Sequence, residues 1–90
     1  MGQWQLIVTK EAEADLGRLN SDIRLRVLQK VKWLQENFEI ITPLPLGGQW
    51  RGFFKLRVGD WRVIYQIETE NQLLILHYID RRDKIYKRVK

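Results

Sequence analysis

Two runs of alternating apolar and polar side chains, Arg51–Val58 and Trp61–Glu68, are separated by Gly59-Asp60 alone. A two-residue connection between such runs implies an antiparallel hairpin, with glycine in the first place supplying the backbone freedom that a Gly-X turn needs. The turn also fixes the register. Val58 lies opposite Trp61, Arg57 opposite Arg62, Leu56 opposite Val63, Lys55 opposite Ile64 and Phe54 opposite Tyr65. Opposed residues share a face, so Phe54, Leu56, Val58, Trp61, Val63 and Tyr65 make an apolar face suited to a core. Phe53, Lys55, Arg57, Arg62, Ile64 and Gln66 make the other face, which is expected to stay outside the core. A third β-rich run, Gln72–Ile79, follows the polar turn Glu68–Asn71 and extends the hairpin to a meander.

Upstream the hydrophobic period is helical. Trp4–Val8 reads as a short strand, and Thr9 follows as an N-cap with Glu11 and Glu13 in the first turn, where carboxylates suit the helix dipole. Ala12, Leu16 and Leu19 mark one buried stripe; Asn20-Ser21-Asp22 offers a stop and a fresh cap. Ile23, Val27, Val31, Leu34 and Phe38 mark a second stripe, so two helices form a hairpin. The outer face of the second helix (Arg24, Arg26, Lys30, Lys32, Glu36) reads as solvated surface. Pro43 and Pro45 prevent the helix from resuming, and Gly47-Gly48 completes a loop. The predicted fold class is α+β: an N-terminal strand and a two-helix hairpin packed on an antiparallel sheet, with a C-terminal three-strand meander. Residues 1–90 suffice for one small domain and no more.

Composition removes several chemistries. The chain has no cysteine and one histidine, His77, so no disulfide, thiol nucleophile or histidine-built metal site is expected, and no cofactor. His77 reads as a structural residue of the third strand; Tyr65 and Tyr78 read as sheet aromatics, and Trp4, Trp33 and Trp50 as packing residues. The longest apolar run is Leu73–Leu76, far short of the roughly 20 residues of a membrane span. With no signal-like start, the expected compartment is the cytoplasm.

The net charge of +5 is unevenly placed. Residues 1–48 carry six cations and six anions. Residues 49–67 hold Arg51, Lys55, Arg57 and Arg62 against Asp60, and residues 80–90 hold Arg81, Arg82, Lys84, Lys87, Arg88 and Lys90 against Asp80 and Asp83. Arg57 opposite Arg62 is a like-charge cross-strand pair, destabilising by up to about 1 kcal/mol unless an anion is supplied. For any one of these cations, an ion pair or a solvent-facing side chain is the simpler reading. Three of them on one face, beside a basic tail, favour a phosphate-binding surface whose partner is RNA or DNA.

The stretch Lys55-Leu56-Arg57-Val58-Gly59-Asp60-Trp61-Arg62-Val63-Ile64-Tyr65 resembles the K-L-R-x-G-x-[YW]-R-[VL]-x-Y signature of the RelE/ParE superfamily of bacterial toxins. Arg81-Arg82-Asp83-Lys84-Ile85-Tyr86 resembles that family's closing motif, H-R-x-x-[IV]-Y. The resemblance covers essentially the whole chain. It implies the toxin of a toxin–antitoxin pair, with a cognate antitoxin as partner. Three activities stay open: a ribosome-dependent endoribonuclease acting on messenger RNA, a gyrase inhibitor without nuclease chemistry, or an inactive relative. For the nuclease, the resemblance implies metal-free attack of a ribose 2′-OH on the adjacent phosphate. It assigns Arg62 to the scissile phosphate, Lys55 to charge stabilisation or proton abstraction, Arg82 to the leaving group as acid or clamp, and Tyr86 to the nucleotide. Arg57, Arg81, Lys84, Lys87 and Phe53 are the accompanying RNA contacts. Phe53 stands where some members have a second lysine, and Arg81 where many have histidine. Both departures thin the base catalysis. Trp61 matches an aromatic position of the signature, but the register puts it on the core face.

Overall fold

The caps named above start the helices in the computed structural model, which describes residues 3–88. Helix α1 (Lys10–Arg18) begins at Thr9, whose Oγ1 accepts the Ala12 N–H at 3.2 Å and donates to the Leu76 carbonyl at 2.8 Å. One hydroxyl thus joins the helix start to the sheet. Helix α2 (Ser21–Glu36) begins at Asn20, which accepts the Ile23 N–H at 3.0 Å. Arg24 then donates to the Leu16 and Leu19 carbonyls at 2.9 and 2.6 Å, satisfying backbone acceptors left open at the end of α1.

The sheet has five strands, β1 (Gln5–Val8), β2 (Leu44–Pro45), β3 (Phe54–Val58), β4 (Trp61–Glu68) and β5 (Leu73–Arg81), in the order β1-β5-β4-β3-β2. Every β3–β4 pair has the register set by the Gly59-Asp60 turn. The sheet is mostly antiparallel, but β1 lies parallel to β5, with Gln5 opposite Leu73 and Val8 opposite Leu76. The helical hairpin makes this possible by carrying the chain back across the sheet before β2. The proline loop contributes β2, a two-residue edge strand against Phe54 and Lys55, where proline costs no ladder hydrogen bond. Strand β3 starts at Phe54 rather than Arg51, because Arg51 and Gly52 form a turn in which Gly52 has φ of 94°.

In β5, Tyr65 faces Leu76 but Ile64 faces Tyr78, so His77 is the extra residue of a bulge. The bulge resets the alternation. Leu76 and Ile79 both join the main core under the helices, with Ala12, Val27, Leu34, Val63 and Tyr65, while Tyr78 turns to the opposite face.

That opposite face departs from expectation. Ile64 is fully buried there, packed with Tyr78 and Ile85 and bordered by Leu46, Trp50 and Phe53. The cover comes from the basic tail itself, which forms a 3-10 turn over Ile85–Lys87 and packs Ile85 against Ile64 and Tyr78. An isoleucine flanked by cations has to bury its side chain somewhere, and Ile64 and Tyr78 offer the nearest apolar surface.

Among the described residues one charged side chain is buried in the core, Asp15, at 2% exposure. Its Oδ1 pairs with Arg18; its Oδ2 accepts the Ile79 N–H at 2.8 Å and the Arg88 guanidinium at 2.8 Å. Arg88 also reaches Asp80 at 3.4 Å and lies over the Tyr78 ring at 4.8 Å. Burial works against its charge, but the hydrogen bond it donates to Asp15 and the nearby carboxylates outweigh that and raise its pKa. The tail is therefore buckled at the β5 edge to a helix 73 residues away in sequence.

Candidate nucleic-acid interface

The Gly59-Asp60 turn is the point on which the candidate cations converge. Gly59 has φ of 60°, a conformation that glycine adopts freely. The Gly59 carbonyl and the Trp61 carbonyl each accept from Arg62 Nη1 at 2.8 Å, so the guanidinium is folded onto the turn and held there. The backbone N–H of Arg82 donates to the Asp60 carbonyl at 2.8 Å, and its guanidinium stands 3.9 Å from the Asp60 carboxylate. Both side chains of that pair are two-thirds exposed, so the pair is weak. Arg57 lies exposed beside Arg62 in register, and Asp80 lies on its other side. Asp80 is already engaged by the Arg81 N–H and by Arg88.

Other predicted residues are placed apart. Lys55 is half-buried in β3 opposite Leu44 of β2, where it and Arg57 line a cavity of about 240 Å³ with Lys30, Trp33, Leu34 and Leu44. Arg81 is the last residue of β5 rather than part of the tail. It is paired with Trp61, lies 5.8 Å from that ring and sits 3.7 Å from Asp83. Arg81 therefore shares Trp61's side of the sheet, and only Arg82 reaches the turn. Trp61 itself packs against the main core, as the register implied. Lys84, Tyr86 and Lys87 are exposed along the tail, Tyr86 at 36%. Phe53 is half-buried, edge-on to Trp50 at 5.5 Å and His77 at 5.2 Å, and His77 bonds Gln66 at 2.8 Å.

Two basic residues read from sequence as plain helix surface belong near this turn. Arg26 and Lys30 of α2 line a second cavity, of about 420 Å³, together with Arg57 and Gly59. The signal was available in their spacing of four along one helix face, but nothing in the sequence says which strand that face meets. Among the described residues no three His, Asp or Glu side chains gather as a metal site, and no helix is long and apolar enough to cross a membrane.

The arrangement suits a polyanion. Arg62, its guanidinium held by two backbone carbonyls, offers donors with little further ordering to lose. A family model described as the ParE toxin of the type II toxin–antitoxin system parDE matches residues 6–86. The chain belongs to this ParE toxin family. It is a toxin of the RelE/ParE superfamily, and the fold agrees. The chain is similar to a chain of the RelBE2 toxin–antitoxin complex from Mycobacterium tuberculosis, with a TM-score of 0.79 and 23% identity over 89% of this chain and 99% of that one. It is similar to a free-state mutant of the toxin RelE from E. coli, with a TM-score of 0.73 and 20% identity over 98% of this chain and 95% of that one. It is also similar to a chain of the E. coli DinJ–YafQ toxin–antitoxin complex, with a TM-score of 0.74 and 17% identity over 94% and 99% of the two chains. No curated protein sequence matches.

Proposed function

We propose that this toxin is a ribosome-dependent messenger RNA endoribonuclease that needs no metal. The observation that supports it is the meeting of Arg62 and Arg82 on one turn, with Arg57 beside them and Asp60 as the near counter-charge. In the reaction the ribose O2′ attacks the adjacent phosphorus, the O2′–P bond forms and the P–O5′ bond breaks. The O2′ proton goes to a base and a proton is delivered to O5′, leaving a 2′,3′-cyclic phosphate and a 5′-hydroxyl. Negative charge builds on the non-bridging oxygens, and a guanidinium already fixed by two carbonyls stabilises it without reorganising. In this reading Arg62 holds the scissile phosphate, Arg57 supports it and Arg82 meets the leaving group. Lys55 is the base or a second cation, and Tyr86 positions the nucleotide. Lys84 and Lys87 extend the RNA contact, whereas Arg81, on Trp61's side of the sheet, and Phe53, half-buried against Trp50 and His77, lie off this path. The domain comprises residues 1–90, works in the cytoplasm without a cofactor, and is held in check by a cognate antitoxin.

Mapping transcript ends after induced expression tests this. New ends inside messages are expected, and Arg62→Ala or Arg82→Ala should reduce cleavage by at least about 100-fold while leaving the fold intact. Growth arrest with intact messages would sink the nuclease reading. A second reading, inhibition of DNA gyrase by a protein-binding surface, is favoured by the matched family being ParE. It predicts accumulation of cleaved gyrase–DNA complexes and no change in RNA.

A further inference from the structure

The second cavity contains an unneutralised cluster of charge. Arg26 and Lys30 face Arg57 across about 420 Å³, with Gly59 at one end and no carboxylate in the lining. Among the described residues none of these three cations forms an ion pair; the paired arginines are Arg18, Arg81, Arg82 and Arg88. The Arg26 guanidinium lies so close to the turn that a Cβ on Gly59 would come within 2.8 Å of its Nη2. Lys30 is held 4.1 Å above the Trp33 ring. Three like charges gathered around one cleft repel one another, and among the described residues the Trp33 ring under Lys30 offsets part of this, with no carboxylate paired to any of them. Water and salt screen these cations in part, and an anion seated in the cleft would offset them further.

The same turn identifies which anion. Gly59 belongs to this cleft, and its carbonyl anchors Arg62, with Arg82 held on the neighbouring Asp60. The turn thus adjoins two cationic groups, Arg62 and Arg82 in one and Arg26, Lys30 and Arg57 in the other, and the register pair Arg57–Arg62 links them. An extended chain with a charge on every unit can satisfy both groups at once. Guanidinium forks match phosphate oxygens in pairs, and a nucleic acid strand carries them in unbroken sequence. We infer that the cleft between α2 and the β3–β4 turn binds the phosphodiester backbone of single-stranded RNA through Arg26, Lys30 and Arg57. It continues the track that passes Arg62 and Arg82. The inference rests on the RNA-cleaving reading and adds two binding residues from a helix to it.

The probe is a fluorescent 2′-O-methyl oligoribonucleotide, which lacks the attacking hydroxyl and so reports binding without cleavage. Anisotropy titrations over a range of salt concentrations give the number of phosphates neutralised, since each contact to a single strand adds about 0.7 to the slope of log K against log salt. Arg26→Ala/Lys30→Ala should lower the slope by about 1.4, and Arg26→Lys/Lys30→Arg should restore it. Both positions lie on the open face of α2, and circular dichroism checks that the variants fold. An unchanged slope in the folded alanine variant overturns the proposal. So does a slope that stays unchanged while the same variant loses binding to a glutamate-rich peptide, which would make the cleft a protein-docking site. Absence of any binding by the wild-type chain overturns this proposal alone, since a ribosome-dependent nuclease can receive its message from the ribosome; the transcript-end mapping decides the nuclease reading. Binding with the expected slopes, but no cutting of unmodified messages on the ribosome, overturns the nuclease reading alone.

Discussion

Replacing Arg88 with methionine tests whether the tail is held by chemistry or only by the burial of Ile85. Methionine keeps the length and apolar stem of arginine but removes the cation that bridges Asp15, Asp80 and Tyr78. Asp15 is 1% exposed at its side chain and Arg88 is 28% exposed. A pair broken on one side in a fully buried setting costs about 3–5 kcal/mol. Here Asp15 keeps the Ile79 N–H and Arg18, and Arg88 is partly wet, which lowers the expectation. One charge-assisted hydrogen bond, at about 2 kcal/mol, plus part of a cation–π contact gives about 2.5 kcal/mol. For a domain of this size that is a fall in Tm of about 10–20 °C. The double variant Asp15→Asn/Arg88→Met should be little worse than Arg88→Met, because asparagine still accepts the Ile79 N–H and no charge is left stranded; the cycle should give a coupling of about 2 kcal/mol. Thermal and urea unfolding supply the energies. Hydrogen exchange at Lys87 and Arg88, whose N–H groups bond the Lys84 and Ile85 carbonyls, locates the change in the tail. A shift below about 2 °C, with tail exchange unaltered, would refute the buckle and return the pair to the class of ordinary surface contacts.

Three other outcomes follow from the same contacts. Ile85→Ala should cost about 3 kcal/mol and increase binding of a hydrophobic dye, since it uncovers Ile64 and Tyr78; an unchanged urea midpoint would contradict the second core. Gly59→Ala should destabilise by about 1–2 kcal/mol, because an L side chain is disfavoured at φ of 60° and its Cβ displaces Arg26; a neutral result in urea would argue against this turn geometry. Burial pushes the Tyr65 hydroxyl from 10.0 to about 12. Its folded pKa is raised, so between these values the unfolded chain loses the proton first and stability falls as pH rises, at up to about 1.4 kcal/mol per pH unit. Tyr65→Phe should flatten that alkaline limb, and equal slopes for the two proteins would rule Tyr65 out as its source.

The hairpin was legible because everything that specifies it is local. Gly59-Asp60 determines which residues oppose one another, and no distant contact alters that register. The caps at Thr9 and Asn20 were legible for the same reason. What escaped depends on long-range placement. The stripe of α1 reads Ala12, Leu16, Leu19, and Asp15 lies on it at a helical spacing, so a carboxylate on an apolar stripe was visible. Its partners at Ile79 and Arg88 were not, because they come from the last strand and the tail. The bulge at His77 has no sequence mark at all, yet it decides that Tyr78 faces away from the helices and so creates the surface that Ile85 covers. Arg26 and Lys30 look like solvated helix residues until α2 is laid beside the end of β3.

These placements change how a polyanion could approach. A bare sheet face carrying Lys55, Arg57 and Arg62 would let a strand lie flat across it, with bases stacked on Phe53. The middle of that face is instead dry, with Ile64 fully buried beneath the tail and Phe53 half-buried against Trp50 and His77. The cations are left at its margins. Arg57 sits on the stretch of β3 that β2 leaves open, since β2 pairs only with Phe54 and Lys55; Lys55 lines the adjoining cavity, and Arg62 and Arg82 sit at the turn. Under the proposed function, a nucleic acid strand would meet a ridge that contacts its backbone, not a platform that receives its bases. Selectivity in such a geometry comes from how the strand is bent and presented, which is what a large partner holding the message would supply. On that proposal the toxin's own residues would need to grip the scissile phosphate well, and the guanidinium of Arg62, anchored by the Gly59 and Trp61 carbonyls, suits that task.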